Sequence, residues 1–256
     1  MSTVEKAISL LNLFEEEPEW GLSDLARRSK FDKATTRRLL VALSNCGLID
    51  QHAVTRRYQL GAGLLRLARI REAHFPLLQT AVPIIRDVAE QTEETVHISE
   101  FGARGLATVH VEESSKANRV SVPVGHILPL HATASGIAFL AFSPPDLAKA
   151  YLRKPLADFT RHTLNQPARL QAAINAAAAQ GYSRNEQGYE DGVFSVAAPI
   201  LGHDGYAIGA IAVAMPLSRS NKATTDLHAR AARNAASAIS TKLFGALPVP
   251  RQAQSA

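Results

Sequence analysis

FDKATTRRLLVAL, residues 31–43, joins a basic front to an apolar back. Asp32 suits the N-cap of a helix that starts at Lys33, and its carboxylate also suits the positive end of the helix dipole. At 100° per residue, Thr36, Leu39, Leu40 and Leu43 fall within roughly 100° of arc, the width of a core-facing stripe. Ala34, Arg37, Arg38 and Val41 take the other side. The apolar stripe turns inward, which leaves small residues and two arginines facing out.

Upstream, Val4, Ala7, Ile8, Leu11 and Phe14 keep a helical period and predict a first helix with one buried face. Pro18 and Gly21 break it, and Ser23 is the expected cap of a second helix over DLARRSK (24–30). A short turn leads into the helix from Lys33. Two helices so joined make a helix-turn-helix, whose second helix puts its N-terminal part into the major groove of DNA. Downstream, GLIDQ (47–51) and RRYQLG (56–61) flank the polar tip HAVT (52–55). They predict a hairpin with cations at its tip or second strand, a wing beside the reading helix.

Charge follows the same division. Residues 1–26 hold one lysine against six acids, and residues 27–71 hold eleven lysines and arginines against Asp32 and Asp50, in a chain whose net charge is only +5. A dense basic block in a balanced chain is the footprint of a polyanion. Lys33, Ala34, Thr35, Arg37 and Arg38 on the helix, with Arg56 and Arg57 on the wing, are the candidate contacts to a double-stranded DNA operator. Arginine reaches guanine edges or phosphates, and small residues permit close approach. A basic face that pairs with an acidic protein is the competing reading.

The chain has 256 residues, 46% hydrophobic and 20% charged, as globular proteins do. A single cysteine, Cys46, excludes an internal disulfide framework and a cysteine metal cluster, and fits a reducing cytoplasm. The N-terminus lacks the basic flank and apolar run of a signal peptide, and no apolar run is long enough for a membrane span. The expected location is therefore cytoplasmic.

GAGLLRLARIREAHF (61–75) is helical by period, with Leu64, Leu67, Ala68 and Ile70 apolar and arginines between, and Pro76 punctuates its end. From there the composition is mixed. Helices are expected over 77–93, within HATASGIAFLAF (131–142), over 168–183 up to Gly181, and over 223–247. Strands are expected over 95–101, 105–113, 119–125, 193–201 and 207–216. The expected fold class is α+β: an N-terminal winged helix-turn-helix (1–61), a linker helix (62–75), a C-terminal GAF-like antiparallel-sheet effector domain (76–248) and a disordered tail (249–256).

The chain resembles the IclR family of bacterial transcriptional regulators over nearly its whole length. VEKAISLLNLF, GLSDLARRSKFDKATTRRLLVALSNCGLI and YQLG carry the resemblance in the first half; TVHIS, VPVGHILPLHATASGIAFLAF, GYSRNEQGYEDGVFSVAAPI and GAIAVAMP carry it in the second. It implies a DNA-binding domain, a linker helix that joins the domains and helps pair two chains, and an effector-binding domain. The expected assembly is a homodimer, with a dimer of dimers above it. The resemblance also implies a small organic-acid effector held by Ala134 and Ser135 through backbone N–H groups, by Asn185 and Glu186, and by Ser195. Ala212 and Ala214 stand where the family often carries serine, and Gly188 where it often carries an acid. These departures remove polar partners and favour an aromatic or longer-chain carboxylate.

Two other chemistries can be weighed on the residues. LPLHATASG offers His131 and Ser135 as a base and nucleophile for a small-molecule enzyme, but the serine is outside a G-x-S-x-G elbow and no acid has a partner position. A helix N-terminus whose N–H groups bind an anion is the other reading of that loop. His97 and His110 lie on expected strands at no metal-ligand spacing, so no metal is expected. Without G-x-G-x-x-G or a P-loop, no cofactor is expected either.

Overall fold

The computed structural model describes residues 1–245, in two compact units, Met1–Pro76 and a larger one from Leu77 onward. The expected tail (249–256) and the last residues of the expected final helix lie outside the described residues.

In the first unit, α1 (Thr3–Asn12) starts on a capping box: Glu5 N–H donates to Ser2 Oγ at 3.2 Å and Ser2 N–H to the Glu5 carboxylate at 2.6 Å. Its buried face is narrower than the periodicity implies. Leu10 and Phe14 are buried, whereas Val4 is 71% and Ile8 46% exposed. The α-helix stops at Asn12, a 3-10 turn (Leu13–Glu15) swings Phe14 inward, and the core reaches only the C-terminal half of α1. The next helix, α2 (Leu22–Ser29), is capped by Gly21 and not by Ser23, which falls inside the helix. Asp24 there supplies the first-turn negative charge.

Helix α3 (Lys33–Asn45) follows the expectation closely. The Asp32 carboxylate accepts from Thr35 N–H at 2.7 Å, and the four buried residues are Thr36, Leu39, Leu40 and Leu43. The leucines pack with Leu10, Phe14, Leu25, Ile49 and Tyr58. Strands β1 (Ile49–Gln51) and β2 (Tyr58–Leu60) form a hairpin shorter than its flanking sequence suggests. Trp20 and Tyr58 exchange backbone hydrogen bonds of 2.9 and 2.7 Å, so the chain before α2 adds a one-residue bridge to the hairpin. Helix α4 (Ala62–His74) buries no residue, and Leu65, Leu67 and Ile70 remain exposed.

The second unit runs α5 (Leu77–Thr92), β3 (Thr95–Gly102), β4 (Gly105–Glu112), β5 (Ile127–Leu128), α6 (Ala134–Ala141), α7 (Pro145–Leu152), α8 (Pro167–Gln180), β6 (Ser183–Glu186), β7 (Val193–Leu201), β8 (Ala207–Pro216) and α9 (Lys222–Phe244). The strands form one antiparallel sheet in the order β5-β4-β3-β8-β7-β6. Val196 and Met215 pack against Ala229 of α9, while Ala197 and Ala212 pack against Ala134 and Ala138 of α6. Since successive strand residues point to opposite faces, α9 and α6 cover opposite sides of the sheet. This is the α+β architecture expected.

Local expectations in this unit need correction. RVSVPVG (119–125) is irregular, not a strand. Pro123 has no N–H for a ladder, Val120 C=O accepts from Thr95 Oγ1 at 2.7 Å, and Gly125 N–H donates to Thr108 O at 2.8 Å. Helix α7, opened by Pro144 and Pro145, and the short strands β5 and β6 are additions to the expected elements. The start of α6 presses on the preceding chain so closely that a Cβ on Gly136 would stand 2.3 Å from Leu130 Cα.

Candidate functional site

On α3, Lys33, Ala34, Arg37 and Arg38 are exposed. The side chains of Lys33, Arg37, Arg38 and Arg56 make no ion pair or hydrogen bond among the described residues. Thr35 is different. Its N–H and Oγ1 donate to the two Asp32 oxygens, each at 2.7 Å, which holds the Asp32 carboxyl below its ordinary range and commits the Thr35 hydroxyl proton to the cap. On the wing, Arg56 takes a left-handed φ of 57° at the tip, with its C=O accepting from Gln51. Arg57 is held at the surface by Glu19: its guanidinium donates to Glu19 C=O at 2.7 Å and lies 3.5 Å from the Glu19 carboxylate. Arg28 makes two 2.7 Å bonds to Glu16, and Arg27 pairs with Asp24. The acidic N-terminal stretch therefore neutralises part of the basic block. The uncommitted cations of the reading helix and wing are Lys33, Arg37, Arg38 and Arg56.

In the second unit, a cavity of about 340 Å³ opens at the N-terminus of α6. Ala134, Ser135, Asn185, Ser195 and Ala214 line it; Glu186 and Ala212 do not. Glu186 is exposed on β6, and Ala212 sits in the alanine cluster beneath α6. Strand alternation accounts for Glu186, which points to the face opposite Asn185; Ala212 shares the face of Ala214 but is covered by Ala134 and Ala138 of α6.

The first turn of α6 leaves two donors open. Gly136 N–H donates to Thr133 Oγ1 and Ile137 N–H to Thr133 C=O, each at 3.1 Å, whereas the N–H groups of Ala134 and Ser135 have no partner in the described chain. Facing them, Asn185 Oδ1 accepts from Gly188 N–H at 2.8 Å. The walls are mainly apolar, with Val120, Val122, Leu128 and Val193; no lysine or arginine is among the lining residues, and the exposed Glu190 is the lining carboxylate. The loop that carries Val120 and Val122 is anchored nearby: Arg219 makes two 2.6 Å bonds to the buried Glu94 carboxylate and donates to Asn118 C=O at 2.9 Å.

His131, the base candidate read from LPLHATASG, is engaged elsewhere, with Tyr151 OH at 2.7 Å and Ala157 C=O at 2.8 Å. The histidine beside Ser135 is His97 of β3, whose Nε2 lies 3.3 Å from Ser135 Oγ. Burial lowers the His97 pKa to about 4, so the ring is neutral at pH 7. His126 and Tyr189, joined at 2.8 Å, line the cavity as well. The alternation of TVHIS puts His97 with Thr95 and Ser99 on one face, but no sequence signal brings that face to the start of α6. Among the described residues, no group of three His, Cys, Asp or Glu side chains could hold a metal ion, and no helix is long and apolar enough to cross a membrane.

Residues 3–53 match the IclR helix-turn-helix domain, and residues 73–241 match the bacterial transcriptional regulator IclR C-terminal domain. The glycerol operon regulatory protein of Streptomyces coelicolor is 30% identical over 220 residues, 86% of each chain. An IclR-type chain from Silicibacter sp. TM1040, known as a crystal structure, is 37% identical with a TM-score of 0.82, covering 98% of this chain and 100% of that one. An IclR homologue from Microbacterium hydrocarbonoxydans, crystallised with 4-hydroxybenzoate, shares the fold at a TM-score of 0.83 and 24% identity, over 96% and 100% of the two chains. With a helix-turn-helix domain for DNA and a separate effector-binding domain, the chain belongs to the IclR family of bacterial transcriptional regulators.

Proposed function

We propose that this regulator senses a monoanionic organic acid with an aromatic or longer aliphatic body. The observation that carries the reading is the pair of open N–H groups, Ala134 and Ser135, at a helix N-terminus inside an apolar-walled cavity. Such a terminus carries about half an elementary positive charge, enough to favour a single anion. Without a lysine or arginine in the wall, a second carboxylate or a phosphate would be buried uncompensated. The apolar wall suits a benzoate-sized or medium-chain body better than a two-carbon acid.

In this reading Lys33, Ala34, Arg37, Arg38 and Arg56 meet an operator duplex, Thr35 sets the helix cap, and Arg57 positions the wing. One reading helix covers few base pairs, so the acting species is a homodimer or a dimer of dimers. A regulator of chromosomal DNA works in the cytoplasm. Effector binding shifts DNA affinity to the extent that it favours one arrangement of the chain over another. The Ser135–His97 contact also has the look of a hydrolytic pair. A base with a pKa near 4 and no acid on its second nitrogen is poorly matched to that task, which favours a binding role without catalysis.

The test is a thermal-shift screen with benzoate, 4-hydroxybenzoate, phenylacetate, octanoate, glyoxylate and terephthalate. An acid at 100 times its Kd stabilises by about 2.7 kcal/mol. Benzoate-sized or medium-chain monoacids should raise Tm, and Ala134→Pro, which deletes one open N–H where proline fits a helix start, should cut that gain. No shift with any acid, or the strongest shift with terephthalate, would overturn the proposal.

A further inference from the structure

Beneath α6, three buried polar atoms make no hydrogen bond within the described chain: His97 Nδ1, Ser99 Oγ and Thr108 Oγ1. They are neighbours by strand geometry. His97 and Ser99 are two residues apart on β3 and share a face. Ser99 stands opposite Thr108 in the β3–β4 pair, where Cβ atoms lie about 5 Å apart. A bulge at this point gives β4 one extra residue, Val109. On the other side, β8 sets Ala212 against His97 and Ala210 against Ser99, and α6 adds Ala134 and Ala138. Three orphaned polar atoms, surrounded largely by methyl groups, have the partner number of one buried water.

We infer that a single water occupies this place, bridging His97 Nδ1, Ser99 Oγ and Thr108 Oγ1, and that through His97 it orients the Ser135 hydroxyl toward the effector. The water donates one O–H to His97 Nδ1 and the other to one of the two hydroxyls, and accepts from the remaining hydroxyl. His97 is then the Nε2–H tautomer, consistent with its neutral ring. Nε2–H donates to Ser135 Oγ across the 3.3 Å contact. Ser135, with its oxygen so occupied, directs its own proton outward and becomes a third donor beside the two open N–H groups. His97 is thus a positioning residue for the anion site. This role rests on the organic-acid reading; the water and the tautomer do not.

Neither measurement below needs an effector, so a failed acid screen and a failed water site are distinguishable. Long-range ¹H–¹⁵N correlation on the labelled full chain at neutral pH should show His97 Nε2 protonated and Nδ1 bare; an Nδ1–H tautomer overturns the relay. Thr108→Val separates the cases by sign. An unsatisfied buried hydroxyl is a liability, so its removal would raise Tm. A hydroxyl bonded to water makes Thr108→Val lower Tm, by about 2–4 °C in a chain of this size, with Thr108→Ser keeping most of it. A raised or unchanged Tm for Thr108→Val overturns the water site. If Thr108→Val does not fold, crystallographic density within hydrogen-bond distance of all three atoms decides it for the parent chain.

Discussion

Replacing Arg37 and Arg38 together by alanine should halve the salt dependence of duplex binding. Four uncommitted cations, Lys33, Arg37, Arg38 and Arg56, stand on the reading helix and wing of the chain, so the proposed two-fold dimer would present about eight. If each neutralises one phosphate, the slope of log K against log salt is roughly −7, and affinity falls about ten-thousand-fold between 50 and 200 mM salt. The double variant keeps about four contacts. Its slope should be roughly −3.6, with about a hundred-fold loss over the same range. Because this term is independent of sequence, fluorescence anisotropy on an arbitrary duplex of roughly 30 bp, long enough for two half-sites a helical turn apart, is sufficient. Arg57→Ala is the internal control. Its guanidinium is held by Glu19, so the slope should stay near the parent value. An unchanged slope for the double variant, or an equal drop for Arg57→Ala, would refute the assignment of free and committed arginines.

Two further outcomes follow from the second unit. The pKa of His97 is lowered to about 4 from 6.5 by burial, so the unfolded chain binds more protons between those values. The neutral ring's contribution is complete above pH 6.5 and is lost as pH falls toward 4, about 3 kcal/mol in all; urea midpoints across that window should flatten in His97→Gln. Gly136→Ala would drive a methyl group into the Leu130 backbone, which cannot yield as a side chain tip can. It should cost about 3 kcal/mol, read as a lowered urea midpoint, and a neutral result would mean that α6 is free to move away from that segment.

Much of the first unit is legible in the sequence because its signals are local. The Asp32 cap, the period of Thr36, Leu39, Leu40 and Leu43, and the hairpin all depend on residues within a few turns of one another. The departures there are of partner and not of pattern. Val4 and Ile8 keep the helical period yet stay exposed, because periodicity marks a face without showing how far the core extends along it. The charge count likewise cannot reveal that Glu16, Glu19 and Asp24 take up Arg28, Arg57 and Arg27.

In the second unit the strand pair β7–β8 and the buried helix α6 are evident as long apolar runs. RVSVPVG alternates like a strand, but its backbone groups find partners on Thr95 and Thr108 instead of a neighbouring strand. Part of the cavity is legible through family resemblance, down to Ala134, Ser135, Asn185, Ser195 and Ala214. His97 is not, since it comes from a strand 38 residues before Ser135 in the chain.

Local pattern alone gives the order of elements in the first unit, the reading helix with its cap and outward arginines, and the apolar character of the sheet and of α6. These follow from short-range periodicity and side-chain chemistry. Which arginines are spent on neighbouring acids, which histidine meets Ser135, and which polar atoms under α6 are left without partners become visible only in the folded chain. Each of those depends on strand register and on the face a helix covers, and a register shift of one residue would send every strand side chain to the other side of the sheet.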